Sequence, residues 1–219
     1  SRSPRSAFFA LGYALAIKAG VAAFGGLVHY VLMLSAIGVC TIILGLALAV
    51  FVVGVPLPRF VRAMVPTFAV AISTQSSLAS LPAMLKSSEE LGVDPKKADV
   101  VLPLAVALFR FTSPAMNLAV VVYVAWLFGV ELTPWGELAV GLLVALAAAL
   151  SSVSLPGSIS FATSIAPIAI AMGVPVAPLG LLVAVETFPD IFRTLGNVVG
   201  DVAATKYAAD GIEDDVPPA

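Results

Sequence analysis

Residues 27–55 contain no Asp, Glu, Lys or Arg, and their one strongly polar side chain is His29. As a helix rising 1.5 Å per residue, that run is ~43 Å long, which exceeds the ~30 Å hydrocarbon core of a bilayer. A tilted membrane helix accommodates such a length. The whole chain is 60% hydrophobic and 11% charged, where a soluble domain averages ~25% charged residues. Too few polar groups remain to coat a water-facing surface. The expected fold class is therefore an all-α integral membrane protein. A net charge of −2 with no basic run excludes phosphate-neutralising nucleic-acid binding. The single Cys40 and single His29 exclude a disulfide framework, a cysteine metal site and a multi-histidine site.

Three further apolar segments reach spanning length: a weak one at 7–24, and stronger ones at 100–128 and 177–207. The polar start Ser1–Ser6 runs straight into the first of these, and Lys18 interrupts it. That is read as a span whose preceding part is missing, rather than as a signal peptide.

Two more apolar segments, 63–87 and 138–173, are each broken at the centre. The first break runs from Ser73 to Pro82 and the second from Ser151 to Ser158; each has a serine cluster followed by Leu-Pro. Serine hydroxyls can satisfy backbone groups freed by a break, and proline removes a donor. Neither arm crosses a bilayer comfortably, so each segment is expected to be a re-entrant helical hairpin. Irregular backbone at membrane depth requires burial in protein or a lined cavity. A hairpin returns to its own side and a span crosses, so hairpin, span, hairpin, span makes two units of inverted topology, about 63–130 and 138–208. Paired interrupted segments of this kind point to a binding site near the midplane. Arg59, Arg62, Lys86, Lys96, Lys97 and Lys206 put the first hairpin and the C-terminus on the cytoplasmic side.

Glu186, Asp190, Arg193, Asn197 and Asp201 are spaced by four, three, four and four residues, so they share one helical stripe. Ionisable residues at mid-bilayer cost at least ~2.5–3.5 kcal/mol each and need partners or a polar cavity. The alternatives are interfacial snorkelling for Asp201 and an intrahelical Asp190–Arg193 pair. Arg110, Ser113 and Asn117 share a face of the preceding span, where Pro114 is expected to loosen the helix. Arg110 is expected to pair with Glu186 or Asp190. A guanidinium fork suits a carboxylate, and a nearby carboxylate suits an ammonium. Together they describe a pocket for a small zwitterionic or dianionic solute, with no bond-making machinery.

Ser76-Ser77 through Leu81-Pro82, Leu102-Pro103-Leu104, Leu155-Pro156-Gly157 and the pattern Asp190, Arg193-Thr194, Asn197, Gly200-Asp201 resemble the dicarboxylate/amino acid:cation symporter family, the glutamate transporters. The likeness runs in order from about residue 10 to residue 208. It implies two transmembrane helices over 1–58 and a transport domain over 59–208; the acidic, proline-ended composition of 209–219 is expected to make a solvated, disordered tail. The likeness also implies a homotrimer in an inner cell membrane, with the scaffold helices absent from this chain.

Position by position, the resemblance implies that Arg193 binds a substrate's side-chain carboxylate and Asp190 its amino group. Asn197 would contact substrate or cation, and Asp201 would ligate sodium. Ser76 and Ser77, with Ser154, Pro156 and Gly157 at the second break, would hold the main carboxylate; Ser113 stands where the family has a threonine. One departure is specific to this chain. Phe109-Arg110-Phe111-Thr112-Ser113 occupies the place of the family's Asn-Met-Asp-Gly-Thr, a source of sodium ligands. A carboxylate becomes Phe111 and a fixed cation, Arg110, stands beside it. Gln75 occupies a position that is arginine in some members. Coupling could then use fewer sodium ions, use protons through Glu186, or be absent.

The leading expectation is a secondary transporter of aspartate, glutamate or a dicarboxylate, working by alternating access. Retention of Asp190 favours an amino acid. The rivals are an intramembrane serine hydrolase, which lacks a base near its serines, and a membrane protein that binds anionic solutes without transporting them.

Overall fold

A computed structural model of the chain describes the backbone of residues 4–151 and 158–211; the side chains of residues 4–19, 21–23, 151 and 158–160 lie outside the description. The described residues are helical throughout, with short connections. The order is α1 (Pro4–Phe51), α2 (Leu57–Thr74), α3 (Leu81–Glu90), α4 (Pro95–Leu108), α5 (Ser113–Phe128), α6 (Glu137–Ser151), α7 (Ser158–Ala171), α8 (Leu179–Leu182), a 3-10 turn over Val183–Val185, and α9 (Thr187–Gly211).

The two spans expected over residues 7–55 are one continuous helix, α1, of 48 residues. The boundary expected at Gly25-Gly26 is no break, because glycine lowers helix propensity by only about 1 kcal/mol and no proline enforces a stop. At the other end Pro56 and Pro58 separate α1 from α2, as their missing donors require.

α2 and α3 form an antiparallel helical pair around a short tip. Thr67 Oγ1 and Ser87 Oγ are 2.8 Å apart, and Ser87 Oγ donates to the Ala63 carbonyl at 2.7 Å. At the tip, Gln75 takes a left-handed conformation with φ 50°. Ser76 Oγ accepts from Ala79 N at 3.2 Å, and Ser80 Oγ donates to the Ser76 carbonyl at 2.9 Å. The serines therefore satisfy backbone groups that the turn frees. α6 and α7 also pack on each other. Residues 152–157, between them, lie outside the described residues, so Ser154, Pro156 and Gly157 do as well.

The segment 100–128, expected as a single loosened span, is two helices, with the break at residues 109–112. Pro114 explains its position. A proline ring clashes with the carbonyl four residues earlier, here Arg110, so the distortion falls one turn before the proline. Arg110 adopts φ 24°, a left-handed value that non-glycine residues rarely take.

Two apolar cores form. One gathers Tyr30, Leu34, Met116, Val120, Phe161 and Ile165 from α1, α5 and α7. The other gathers Phe60, Met64, Met84, Leu102, Val198 and Val202 from α2, α3, α4 and α9. α1 runs along both. Large apolar residues such as Leu32, Ile43, Val100, Leu104, Leu143 and Leu150 are exposed. Phe24–Phe51 and Pro95–Phe128 are long and apolar enough to cross a membrane.

Candidate functional site

A cavity of about 100 Å³ is lined by residues of both cores, Val106 from one and Phe161 from the other. At roughly 10–15 Å³ per water it has room for several water-sized groups. All five members of the polar stripe, Glu186 just before α9 and Asp190, Arg193, Asn197 and Asp201 on it, line the cavity. Opposite them stand Gln75, Ser76 and Ser77 from the α2–α3 tip, Arg110 from the break in 109–112, Asn117 from α5 and Ser164 from α7.

Arg193 is buried, and its two terminal nitrogens are engaged by Asp190 of α9 and by Glu186, the residue just before α9. Nη2 donates to Glu186 Oε1 at 2.5 Å and Nη1 to Asp190 Oδ1 at 2.7 Å. Tyr30, fully buried on α1, donates its hydroxyl to Glu186 Oε2 at 2.6 Å. The expected pairing of Arg110 with Glu186 or Asp190 is therefore corrected: both carboxylates belong to Arg193. Helical spacing explains it, since positions three and seven residues before Arg193 return to the same face. Arg110, outside any helix, lines the cavity together with Asp190, Arg193 and Asp201.

Asn197 holds the break in place. Its Oδ1 accepts from Thr112 N at 2.9 Å and from Thr112 Oγ1 at 2.8 Å. The backbone N–H can only donate, which fixes the amide's orientation. Thr112 Oγ1 also lies 2.9 Å from the Arg193 carbonyl. The amide oxygen of Asn197 thus anchors the break to α9.

Close approach needs the glycines of α9. A Cβ on Gly196 would collide with Thr112 Cγ2, and one on Gly200 would stand 2.8 Å from Phe111 Cβ. Gly45 on α1 lies against the Phe111 ring, since a Cβ there would stand 3.5 Å from it. Phe111, in the place of the expected carboxylate, thus packs against both helices.

Three buried polar atoms of residues that line the cavity have no hydrogen-bond partner among the described residues: Arg193 Nε, Ser164 Oγ and Asp201 Oδ1. Ser113, expected near the substrate, is buried but does not line the cavity. Arg110 is not on a helix, so its spacing to Ser113 carries no phase. Ser164, Thr112 and Tyr30 were missed. Tyr30 carried a signal: a hydroxyl in an otherwise apolar run must find a partner when buried. His29 packs on the rings of Tyr123 and Trp126, at 5.6 and 5.7 Å, and does not line the cavity. A serine hydrolase would need it there.

Residues 6–210 match the model of the sodium:dicarboxylate symporter family. The chain belongs to that family. A C4-dicarboxylate transport protein of Laribacter hongkongensis is 28% identical over 211 residues, 94% of this chain and 46% of the relative. Neutral amino acid transporter A of Bos taurus is 33% identical over 144 residues, 65% of this chain and 27% of the relative. A putative sodium-dependent excitatory amino acid transporter, glt-4, of Caenorhabditis elegans is 33% identical over 180 residues, 76% of this chain and 35% of the relative. The chain thus spans about half the length, or less, of these relatives. The relatives are transporters, and membership of this family makes the chain a membrane protein.

Proposed function

We propose that this chain supplies the solute-binding part of a secondary transporter that carries aspartate, glutamate or a C4-dicarboxylate across the inner cell membrane by alternating access. The observation that carries the reading is the cavity: two guanidiniums, three carboxylates and the hydroxyls of a helical-pair tip, gathered at the seam of two apolar cores. Charge so expensive at membrane depth is retained where it meets a polar occupant. The solute's side-chain carboxylate meets the Arg193 guanidinium, and an ammonium meets Asp190. Ser76, Ser77 and Ser164 hold the main carboxylate. Asp201 is the group that would meet a cation, and the family's description carries sodium.

In this reading α2–α3 and α6–α7 are re-entrant hairpins entering from opposite faces, related as an inverted repeat. Arm length supports it: the 14 residues of α7 and 10 of α3 give helices of ~21 and ~15 Å, short of a full crossing. The basic residues cluster at the end that we assign to the cytoplasm. Arg59 donates to the Glu90 carbonyl at 3.4 Å, and Lys97 to the Ala209 carbonyl near the end of α9 at 3.4 Å. That end carries the C-terminus. Residues 59–208 form the moving domain, and a homotrimeric scaffold comes from helices outside it.

The test is binding of L-aspartate and succinate to the full-length protein carrying Arg193→Ala, beside Arg193→Lys. The alanine variant leaves Glu186 and Asp190 uncompensated; the lysine variant keeps their counter-charge but loses the fork. Both are expected to bind at least ~10-fold more weakly, a change of ~1.4 kcal/mol. Unchanged affinity in a folded variant removes the assignment. Uptake into proteoliposomes separates transport from binding alone, the reading that Phe111 in place of a carboxylate would favour.

A further inference from the structure

A carboxylate beside a guanidinium commonly takes two parallel N–H bonds from one edge of the fork. Glu186 takes one. Its Oε1 accepts from Arg193 Nη2 at 2.5 Å. Arg193 Nε, the other donor of that edge, is buried and has no hydrogen-bond partner among the described residues. A buried donor is costly to leave unmade, so something holds the second oxygen away. That group is Tyr30 of α1, whose hydroxyl donates to Glu186 Oε2 at 2.6 Å. Tyr30 is fully buried and does not line the cavity, so it reaches the site through Glu186.

The backbone does not impose this restraint. Glu186 stands between the 3-10 turn and α9, with its N–H 3.4 Å from the Val183 carbonyl. Its pair with Arg193 spans seven residues, about two helical turns, so two long side chains bridge the gap. What fixes the carboxylate is a hydrogen bond from another helix. Tyr30 is itself held. Its ring packs 5.3 Å from that of Tyr123 on α5, and the Tyr123 hydroxyl donates to the Gly26 carbonyl of α1 at 2.7 Å.

We propose that Tyr30 is a positioning residue for solute binding: by holding Glu186 Oε2 it limits Glu186 to one bond on Arg193, and so leaves that guanidinium to an acidic solute that competes for it. The proposal rests on the reading of the cavity as the solute site. Without the hydroxyl, Oε2 turns to Nε, and Glu186 captures the Nε and Nη2 edge as a bidentate pair. The test is binding of L-aspartate and succinate to the full-length protein in lipid nanodiscs. For whichever solute the wild type binds, Tyr30→Phe is expected to raise the Kd at least ~3-fold. Glu186→Gln is expected to lower it at least ~3-fold, because an amide brings no charge to compete for Arg193. The double variant separates positioning from looser packing. An amide has one acceptor oxygen and cannot take the edge twice. Adding Tyr30→Phe to Glu186→Gln is therefore expected to change the Kd less than ~2-fold. A packing defect would carry over undiminished, since the amide oxygen can accept from Tyr30 as well.

Unchanged affinity in Tyr30→Phe overturns the proposal and leaves the solute site standing. So does equal weakening by Tyr30→Phe in both backgrounds, or weaker binding by a folded Glu186→Gln. Failure of the wild type to bind either solute overturns the solute site itself, and this proposal with it. If Glu186→Gln does not fold, Arg193→Lys takes its place, because an ammonium has no fork to capture; a further ~3-fold loss from Tyr30→Phe in that background also overturns the proposal.

Discussion

Tyr30→Phe deletes one hydroxyl from the centre of α1 and changes nothing else in shape. That hydroxyl donates to Glu186 Oε2 at 2.6 Å, and the tyrosine is fully buried. Hydrogen bonds to charged groups contribute ~1.5–3 kcal/mol in soluble proteins. Interhelical bonds inside membranes are weaker, ~0.6 kcal/mol on average and at most ~1.7, because the unfolded helices also find partners. Glu186 keeps Arg193 on its other oxygen, so its charge is not stranded. The expected loss is therefore about 1–2 kcal/mol. The assay is unfolding of the full-length protein in a denaturing-detergent titration, run as a double-mutant cycle with Glu186→Ala. In the Glu186→Ala background the tyrosine has lost its acceptor, so adding Tyr30→Phe is expected to cost nothing further. A coupling of at least ~0.5 kcal/mol exceeds the usual error of additivity. An equal cost for Tyr30→Phe in both backgrounds, or no cost in either, refutes the reasoning.

Gly196→Ala drives a methyl into Thr112 Cγ2. Overpacking of this kind costs ~1–3 kcal/mol, and Thr112→Ser, which removes that methyl but keeps the hydroxyl, is expected to restore stability in the double variant. Two buried, unpartnered serines make an internal contrast: Ser164→Ala is expected to weaken solute binding ~3- to 10-fold, the worth of ~0.7–1.4 kcal/mol. Ser113→Ala is expected to leave it within ~2-fold, because Ser113 does not line the cavity; equal effects in a binding isotherm contradict that contrast.

The polar stripe of the last span was the most legible part of the site. Four of the five residues, Asp190, Arg193, Asn197 and Asp201, stay on one face because α9 is an unbroken helix there; Glu186 precedes its first residue, with its carbonyl bonded to Asp190 N at 2.9 Å, and all five reach the cavity. The same arithmetic misled at Arg110, Ser113 and Asn117, because it assumed a continuous helix across residues 109–112. The proline that causes the break was visible; that its effect falls one turn earlier, at Arg110, follows from its ring geometry. The pairing of Arg193 was legible only as one alternative, since the competition between Arg110 and Arg193 for two carboxylates depends on distance and not on pattern. Tyr30 and Ser164 were hidden for a different reason. Each belongs to a segment whose composition says only that it is apolar, and their partners or orphanhood arise from tertiary contact. The single long α1 was hidden because Gly25-Gly26 weakens a helix without ending it.

The small residues of α9 explain why a broken helix can sit beside so many charges. A break exposes backbone donors and acceptors that hydrocarbon cannot satisfy. Here the Thr112 N–H reaches Asn197, its hydroxyl lies within bonding distance of that amide and the Arg193 carbonyl, and Phe111 fills the space against Gly200. Those contacts need the 109–112 segment to lie almost on the α9 backbone, which a side chain at 196 or 200 would forbid. The same approach places Arg110 on the cavity that Asp201 also lines. Packing and the site are therefore one device: the glycines admit the break, and the break brings Arg110 to the cavity wall. A larger residue at Gly196 should then disturb solute binding as well as stability, although it touches no solute.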